Sequence, residues 1–379
     1  MPTIHPVLRS LPDYPIVRVA RARAALEGKG VRVFDFSTGD PFEPTPDFVR
    51  RALTVDPVCR YPAPAGLPEL RAAASGYLKR RFGVELPAEQ ILGTRGSKEA
   101  VFHLPFAFLD PAGPKDTVVF PTPGYTVYAS GARFAGGVAH GVPLRADNGF
   151  LLEPWALPAA VQERIAILWV NYPHNPSGAE APDAYLERLA AYAVERDVVL
   201  CSDECYVDVS FGANPPRSLL EFGTQNVLAL FSCSKRSGMT GYRTGFVAGD
   251  PELIHHFGRL RPNLGVAGSS FVERAAIAAW NDDAHVAERC GIFAAKRQVM
   301  VELLEELGAP HLGGDSTFFL WFAAPGGDEV AYAEALLELG IVVIPGSYFG
   351  AGGEGYCRVA LVPTLEDCRA AAALWRTLA

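Results

Sequence analysis

Two kinds of apolar spacing alternate along the chain. From residue 67, "LPELRAAASGYLKRRFG" carries apolar residues at helical intervals and stops at Gly83, "KEAVFHLPFAFL" has the same helical character, and "TVVFP" is a short β-branched run closed by prolines. There follow "IAILWVNYP", a helix in "PDAYLERLAAYAVERD", then "VVLCSDE" and "NVLALFSCS". Short, nearly continuous apolar runs separated by helices predict buried parallel strands in an α/β sheet, over roughly residues 90 to 250. After about residue 269 the texture changes. "SSFVERAAIAAW" and "HVAERCGIFAAKRQVMVELLEELG" predict long helices, followed by "STFFLWFAA", a helix in "EVAYAEALLELG", then "IVVIP", "YCRVALV" and a closing helix near "EDCRAAAALWRTLA". This pattern predicts a separate, smaller α+β unit.

With 379 residues, 49% hydrophobic and 20% charged, the chain is long enough for one large domain or two unequal ones. A net charge of -8 and a pI near 5.6 argue against a nucleic-acid or anionic-membrane partner and for a small molecule. The seven cysteines, Cys59, Cys201, Cys205, Cys233, Cys290, Cys357 and Cys368, are scattered and lack paired metal-ligand spacing, so reduced thiols in a cytoplasm and no metal are expected. The N-terminal "MPTIHPVLRSLPDYP" lacks the layout of a secretory signal, and no apolar run approaches the roughly 20 residues of a membrane span. "FGAGGEG" fits G-x-G-x-x-G through Gly350, Gly352 and Gly355, but it leads into a strand near the C-terminus instead of opening a helix, so it is read as a loop without a dinucleotide.

The candidate chemistry gathers at strand ends. "FSCSKRSGMTGYRTG" follows an apolar run and contains Lys235, although the chain has only six lysines against twenty-eight arginines. A guanidinium stays charged, whereas a lysine amine can be tuned to attack a carbonyl and hold it as a Schiff base. Ser232, Ser234 and Thr240 offer hydroxyl donors, Arg243 can hold a dianionic group, and Gly241 and Gly245 permit close backbone approach. In "GTRGSKEA", Gly96, Ser97 and Lys98 open a predicted helix whose free N–H groups suit a phosphate. "VNYPHNPSG" places Asn175 where it can donate to an oxygen, and "SDECY" ends the next strand with Asp203 and Tyr206. A Schiff-base lysine, a phosphate cradle, an acid for a pyridine nitrogen and donors for a phenolic oxygen together describe pyridoxal phosphate.

From "FSTGDPFEPTP" to the C-terminus, and above all in "S-x-S-K-x-x-x-x-x-G-x-R-x-G" at Ser232 to Gly245, the sequence resembles the class I/II, fold-type I pyridoxal-phosphate aminotransferases. The resemblance implies a large cofactor-binding domain over residues 35–268 with a mostly parallel sheet, a small α+β domain over 269–379, and an N-terminal segment, 1–34, packed on the small domain. It implies that Lys235 is the Schiff-base lysine and proton carrier, and that Ser232, Ser234, Arg243 and the backbone at Gly96, Ser97 and Lys98 hold the phosphate. Asn175 and Tyr206 would contact the ring oxygen, Asp203 the pyridinium nitrogen, and Tyr125 would stack on the ring. The family's N-x-P-x-N-P-T-G stands here as Asn171 to Gly178 with serine replacing threonine, which keeps the hydroxyl. Tyr61 matches a tyrosine that reaches the phosphate of the other subunit, which implies a homodimer; Arg358 matches the arginine that clamps the substrate α-carboxylate, and Gly39 lines the same pocket. Amino transfer by a ping-pong mechanism would follow.

Substrate is less legible. Arg95, Arg259 and Arg261 could meet a second carboxylate, and they are read as surface arginines. "AAIAAWNDDAHVAERC", "STFFLWF" and "PGSYFGAGGEGYCRVALVPTLEDC" resemble the succinyldiaminopimelate aminotransferases of lysine and cell-wall synthesis, which use glutamate; an aspartate or broad-range aminotransferase, or a C–S lyase on the same cofactor, remains the alternative.

Overall fold

The computed structural model describes residues 3–10, 19, 23–24, 26–28, 30–58 and 60–378. Cys59 and most of the stretch from residue 11 to residue 22 lie outside the described residues. A short strand β1 (Phe34–Asp35) precedes a seven-stranded sheet made of β2 (Ile91–Thr94), β3 (Thr117–Thr122), β4 (Val138–Pro143), β5 (Ile165–Val170), β6 (Val199–Asp203), β7 (Val227–Ser232) and β8 (Gly245–Gly249). The spatial order is β2-β8-β7-β6-β5-β3-β4, parallel throughout except for β8, which runs against both of its neighbours.

Every residue of β5 and of β7 is buried. Alternate side chains leave a strand on opposite faces, so each face needs its own apolar cover. In β7, Val227, Ala229 and Phe231 enter one core while Leu228 and Leu230 enter another. Helices Pro68–Phe82 and Asp183–Glu195 contribute to the first core, and Ser97–Phe108 and Pro251–Leu260 to the second. Helix Pro68–Phe82 ends as its sequence predicts, with Gly83 in the left-handed conformation.

Three strands escape the apolar pattern of the sequence. β2 is only four residues long, and β4 lies at the sheet edge with no fully buried position, so neither forms a conspicuous apolar run. β8 is bracketed by glycines because its partner backbone comes close: a Cβ at Gly245 would lie 2.3 Å from the Phe231 carbonyl oxygen, and one at Gly249 2.0 Å from that of Val227.

A third core joins Phe34 and Phe36 to Phe293, Met300, Phe318, Phe322, Val359 and Trp375. It is framed by the long helix Ala284–Glu306 and by an antiparallel sheet of β9 (Phe319–Ala323), β11 (Ile344–Pro345) and β12 (Tyr356–Ala360), while β10 (Ile341–Val342) pairs with β1. "IVVIP" is thus split between β10 and β11. Among the described N-terminal residues, Arg32 bonds Asp367 at 2.8 Å, but His5 stacks on Phe134 beside the main sheet, with ring centroids 5.8 Å apart. "FGAGGEG" is a turn of left-handed glycines entering β12, not the start of a helix. No described helix is long and apolar enough to cross a membrane.

Candidate active site

Strands β5, β6 and β7 are adjacent and parallel, so the segments that leave their carboxyl ends meet on one edge of the sheet. Val170 leads into Asn171 to Gly178, β6 ends at Asp203, and β7 ends at Ser232, which caps the short helix Cys233–Arg236 by accepting from the Ser234 N–H at 3.2 Å. Asn171 ties two of these ends together. Its side-chain amide donates to the Asp203 carbonyl at 2.7 Å and its oxygen accepts from the Asn175 N–H at 3.0 Å. Because two antiparallel steps restore the direction, β2 also ends on this edge, and the helix Ser97–Phe108 begins there.

One cavity is lined by Ser97, Lys98, Tyr125, Asn175, Asp203, Tyr206, Ser232, Ser234, Lys235 and Arg243, together with Asn171, Cys205 and Thr240. The sequence motifs, scattered over nearly 150 positions, therefore converge (243 − 97 = 146). At its cationic end, Gly96 is left-handed, and a Cβ there would lie 2.7 Å from Arg243 Nη2, so the glycine makes room for the guanidinium. Desolvation and the charge of Arg243 lower the pKa of Lys98, whose ammonium lies 5.9 Å from the Tyr125 ring centroid. A helix N-terminus and two neighbouring cations form a field suited to a dianion.

In the same cavity, Asp203 is buried and its carboxyl accepts from Tyr128 Oη at 3.0 Å and from the Cys205 N–H at 3.4 Å. Burial raises its pKa; the hydrogen bonds of Cys205 and Tyr128 and the charge of Lys235 oppose that rise without cancelling it. Among the described residues no ion pair neutralises this carboxylate, which leaves it suited to a cationic ring nitrogen. Lys235 is half-buried, donates to the Gly39 carbonyl and has its pKa lowered to about 8, chiefly by burial, with Arg243 and Arg358 pushing the same way and Cys205 and Asp40 opposing.

A second cavity shares Tyr125, Asn175, Tyr206 and Lys235 with the first and adds Ser37, Thr38, Gly39, Phe319, Ile344, Tyr348, Phe349 and Arg358. Arg358 rises from β12, donates to Asn175 Oδ1 at 2.8 Å and to the Ser37 carbonyl, and lies between rings, 4.3 Å from the Phe319 centroid and 4.5 Å from that of Phe349. Gly39 sits so close to Phe319 that a Cβ would come within 2.9 Å of its ring. Tyr206 meets the Phe319 ring edge-on at 5.3 Å.

Tyr61 lies outside both cavities and is fully exposed, at 102% of its reference area. Of the three arginines read as surface residues, Arg95 and Arg259 are exposed, but Arg261 is not: it is completely buried and bonds the Glu99 carboxylate at 3.2 Å and the Pro64 carbonyl. The correction follows from Glu99, a first-turn carboxylate of helix Ser97–Phe108 that needs a buried cation. Sequence reasoning missed Tyr128, which holds Asp203 and stacks on Trp169 at 5.0 Å, although its place three residues after Tyr125 in "PTPGYTVY" was a signal. It also missed Phe319, Tyr348 and Phe349, ordinary aromatics in sequence.

Residues 31–374 match the family described as aminotransferase class I and II. The chain is 39% identical over 368 residues to an LL-diaminopimelate aminotransferase of Desulforudis audaxviator, covering 94% of this chain and 93% of that one. It is 36% identical to one of Aquifex aeolicus, covering 94% of each. Among solved structures, an aminotransferase of Neisseria meningitidis superposes with a TM-score of 0.90 at 33% identity over 99% of this chain and 100% of that one. A single-mutant aspartate aminotransferase of Thermus thermophilus gives 0.91 at 28% identity over 100% of both.

Proposed function

The chain belongs to the class I and II aminotransferases, and from that premise we propose that it moves an amino group between LL-diaminopimelate and a 2-oxo acid, with glutamate and 2-oxoglutarate as the exchanging pair. The enzyme is a pyridoxal-phosphate-dependent transaminase. The similarity of nearly the whole chain to LL-diaminopimelate aminotransferases supports the free diamino acid over its N-succinyl derivative, and it is the observation that carries the substrate reading.

Pyridoxal phosphate, when bound, supplies an aldehyde for the amino group and a ring that spreads the electrons left at Cα when its proton departs. The paired cations Arg243 and Lys98, with the helix start at Ser97 and the hydroxyls of Ser232 and Ser234, support this end as the phosphate seat. Burial of Asp203 without an ion-pair partner among the described residues supports it as the carboxylate that keeps the ring nitrogen protonated, with Tyr128 holding its orientation. Asn175 and Tyr206, lining the same cavity, are the donors for the ring oxygen, and Tyr125 packs on the ring face. A lysine tuned to about 8 can lose and regain a proton near neutrality, which supports Lys235 as the base that would take the Cα proton and deliver it to the cofactor's aldehyde carbon on the other side of the transferred nitrogen. Arg358, held by Asn175 and the Ser37 carbonyl between two rings, is the fork for the α-carboxylate, and Gly39 leaves space beside it.

The exposure of Tyr61, in a stretch where Val55 and Val58 are exposed too, supports its covering by a second copy of the chain and hence a homodimer. Donor specificity tests the proposal. Cofactor-loaded protein given 2-oxoglutarate should form glutamate faster with LL-diaminopimelate than with N-succinyl-LL-diaminopimelate or aspartate. A preference for aspartate would move it to the broad-range enzymes.

A further inference from the structure

The cavity above Lys235 shares its aromatic rim with a neighbouring one. Gly124, Tyr125, Thr126, Tyr348 and Phe349 line both it and a further cavity beside the helix Val127–Phe134. Thr122, Ser130, Arg133 and Ser347 supply polar lining to this outer compartment. Thr126, Ser130 and Arg133 follow one another at intervals of four and three residues, so they share one face of the helix. Ser130 Oγ bonds the Thr126 carbonyl at 3.3 Å. From the shared rim at Thr126, the helix carries the Arg133 backbone onward by about 10 Å, and its side chain lines the outer compartment.

Arg133 is exposed, and among the described residues no hydrogen bond or ion pair engages its side chain. Arg95 and Arg259 are exposed and likewise unengaged among the described residues; what sets Arg133 apart is that it lines a cavity sharing five residues with the one above Lys235. A cation unengaged by the chain's own carboxylates, lining a cavity that shares its rim with the one above Lys235, is arranged for an anionic group that enters with the substrate. A short acidic side chain would end inside the inner cavity, whereas a long one would pass Thr126 into the outer compartment.

We propose that Arg133 binds the distal carboxylate of a long-chain dicarboxylic amino acid and so selects the length of substrate the enzyme accepts. This assignment rests on the transamination of a long diacid proposed above.

The test uses L-2-aminopimelate and its distal amide, which match in length and differ in the terminal charge. Each is supplied with 2-oxoglutarate to the cofactor-loaded wild type, Arg133→Ala and Arg133→Lys. The wild type should favour the acid over the amide in kcat/KM by about 10- to 100-fold, the span expected of a charge-assisted bond. Arg133→Ala should remove most of that preference through KM, and Arg133→Lys should restore part of it. An acid-to-amide ratio unchanged in Arg133→Ala, or no preference in the wild type, overturns the assignment. Equal loss of both substrates together with loss of bound cofactor would mark Arg133 as structural and also overturn it. If the wild type turns over glutamate but neither probe, the long-diacid reading itself has failed, and with it the role of Arg133.

Discussion

The two halves of the active site are built differently. The inner half, around Asp203 and Lys235, is assembled on one sheet edge, where neighbouring strands in fixed register deliver their ends side by side. The outer half, around Arg358, is assembled across separate cores: β12 supplies the arginine, and its hydrogen-bond partner Ser37 lies 321 positions away in sequence. A sheet edge can demand particular residue types for a particular chemistry, whereas a cleft between packed units is walled by aromatic side chains that many sequences could supply. On the roles proposed above, reaction type is written into the inner half and substrate choice into the outer half.

This division predicts variants that separate the halves. Lys235→Ala should lower kcat by at least about 10³-fold, because it removes the proton carrier, while leaving α-carboxylate recognition in the outer cavity intact. Retained steady-state transfer would break the assignment. Asp203→Ala should slow turnover by about 10²- to 10³-fold and weaken cofactor affinity, since a buried charge aimed at the ring is lost. An unaltered rate would count against its role. Arg358→Ala should cost about 10- to 100-fold in kcat/KM for α-amino acids while leaving the cofactor's affinity in place, and equal losses for α-carboxylate and α-carboxamide substrates would show that the clamp is elsewhere.

The smallest effect is one of pH. Burial lowers the Lys235 pKa from 10.5 to about 8, so its neutral, nucleophilic form appears earlier than in a free lysine. Capture of pyridoxal phosphate by the cofactor-free protein should accelerate about tenfold per unit below that value and level off above it. Stopped-flow absorbance would show the inflection, and an inflection near 10.5 would mean that Lys235 is not desolvated as the cavity indicates.

The inner half was largely legible because its residues lie in short contiguous motifs. "SDECY" and "FSCSKRSGMTGYRTG" each follow a fully apolar run, and the structure brings Asp203, Tyr206, Ser232, Ser234, Lys235 and Arg243 into one cavity. Tyr128 escaped notice since its hydroxyl bonds a carboxylate 75 positions away. Nothing in the sequence around Phe319 or Phe349 marks them, because their role comes from Arg358 lying between their rings in the fold. Arg261 was misread because its partner Glu99 lies 162 positions away, and no local pattern marks a cation that will be buried. Strands β4 and β8 were missed because an exposed edge and close-approach glycines both suppress the apolar run that marks a strand.

The most direct test of the account is a single-turnover measurement without an acceptor. Cofactor-loaded protein is mixed with LL-diaminopimelate, and the released oxo acid and ammonia are counted per active site. The account predicts one oxo acid per site, no ammonia, and no further reaction until 2-oxoglutarate is added. Continued turnover with ammonia, or no oxo acid from this substrate while glutamate reacts, would contradict it.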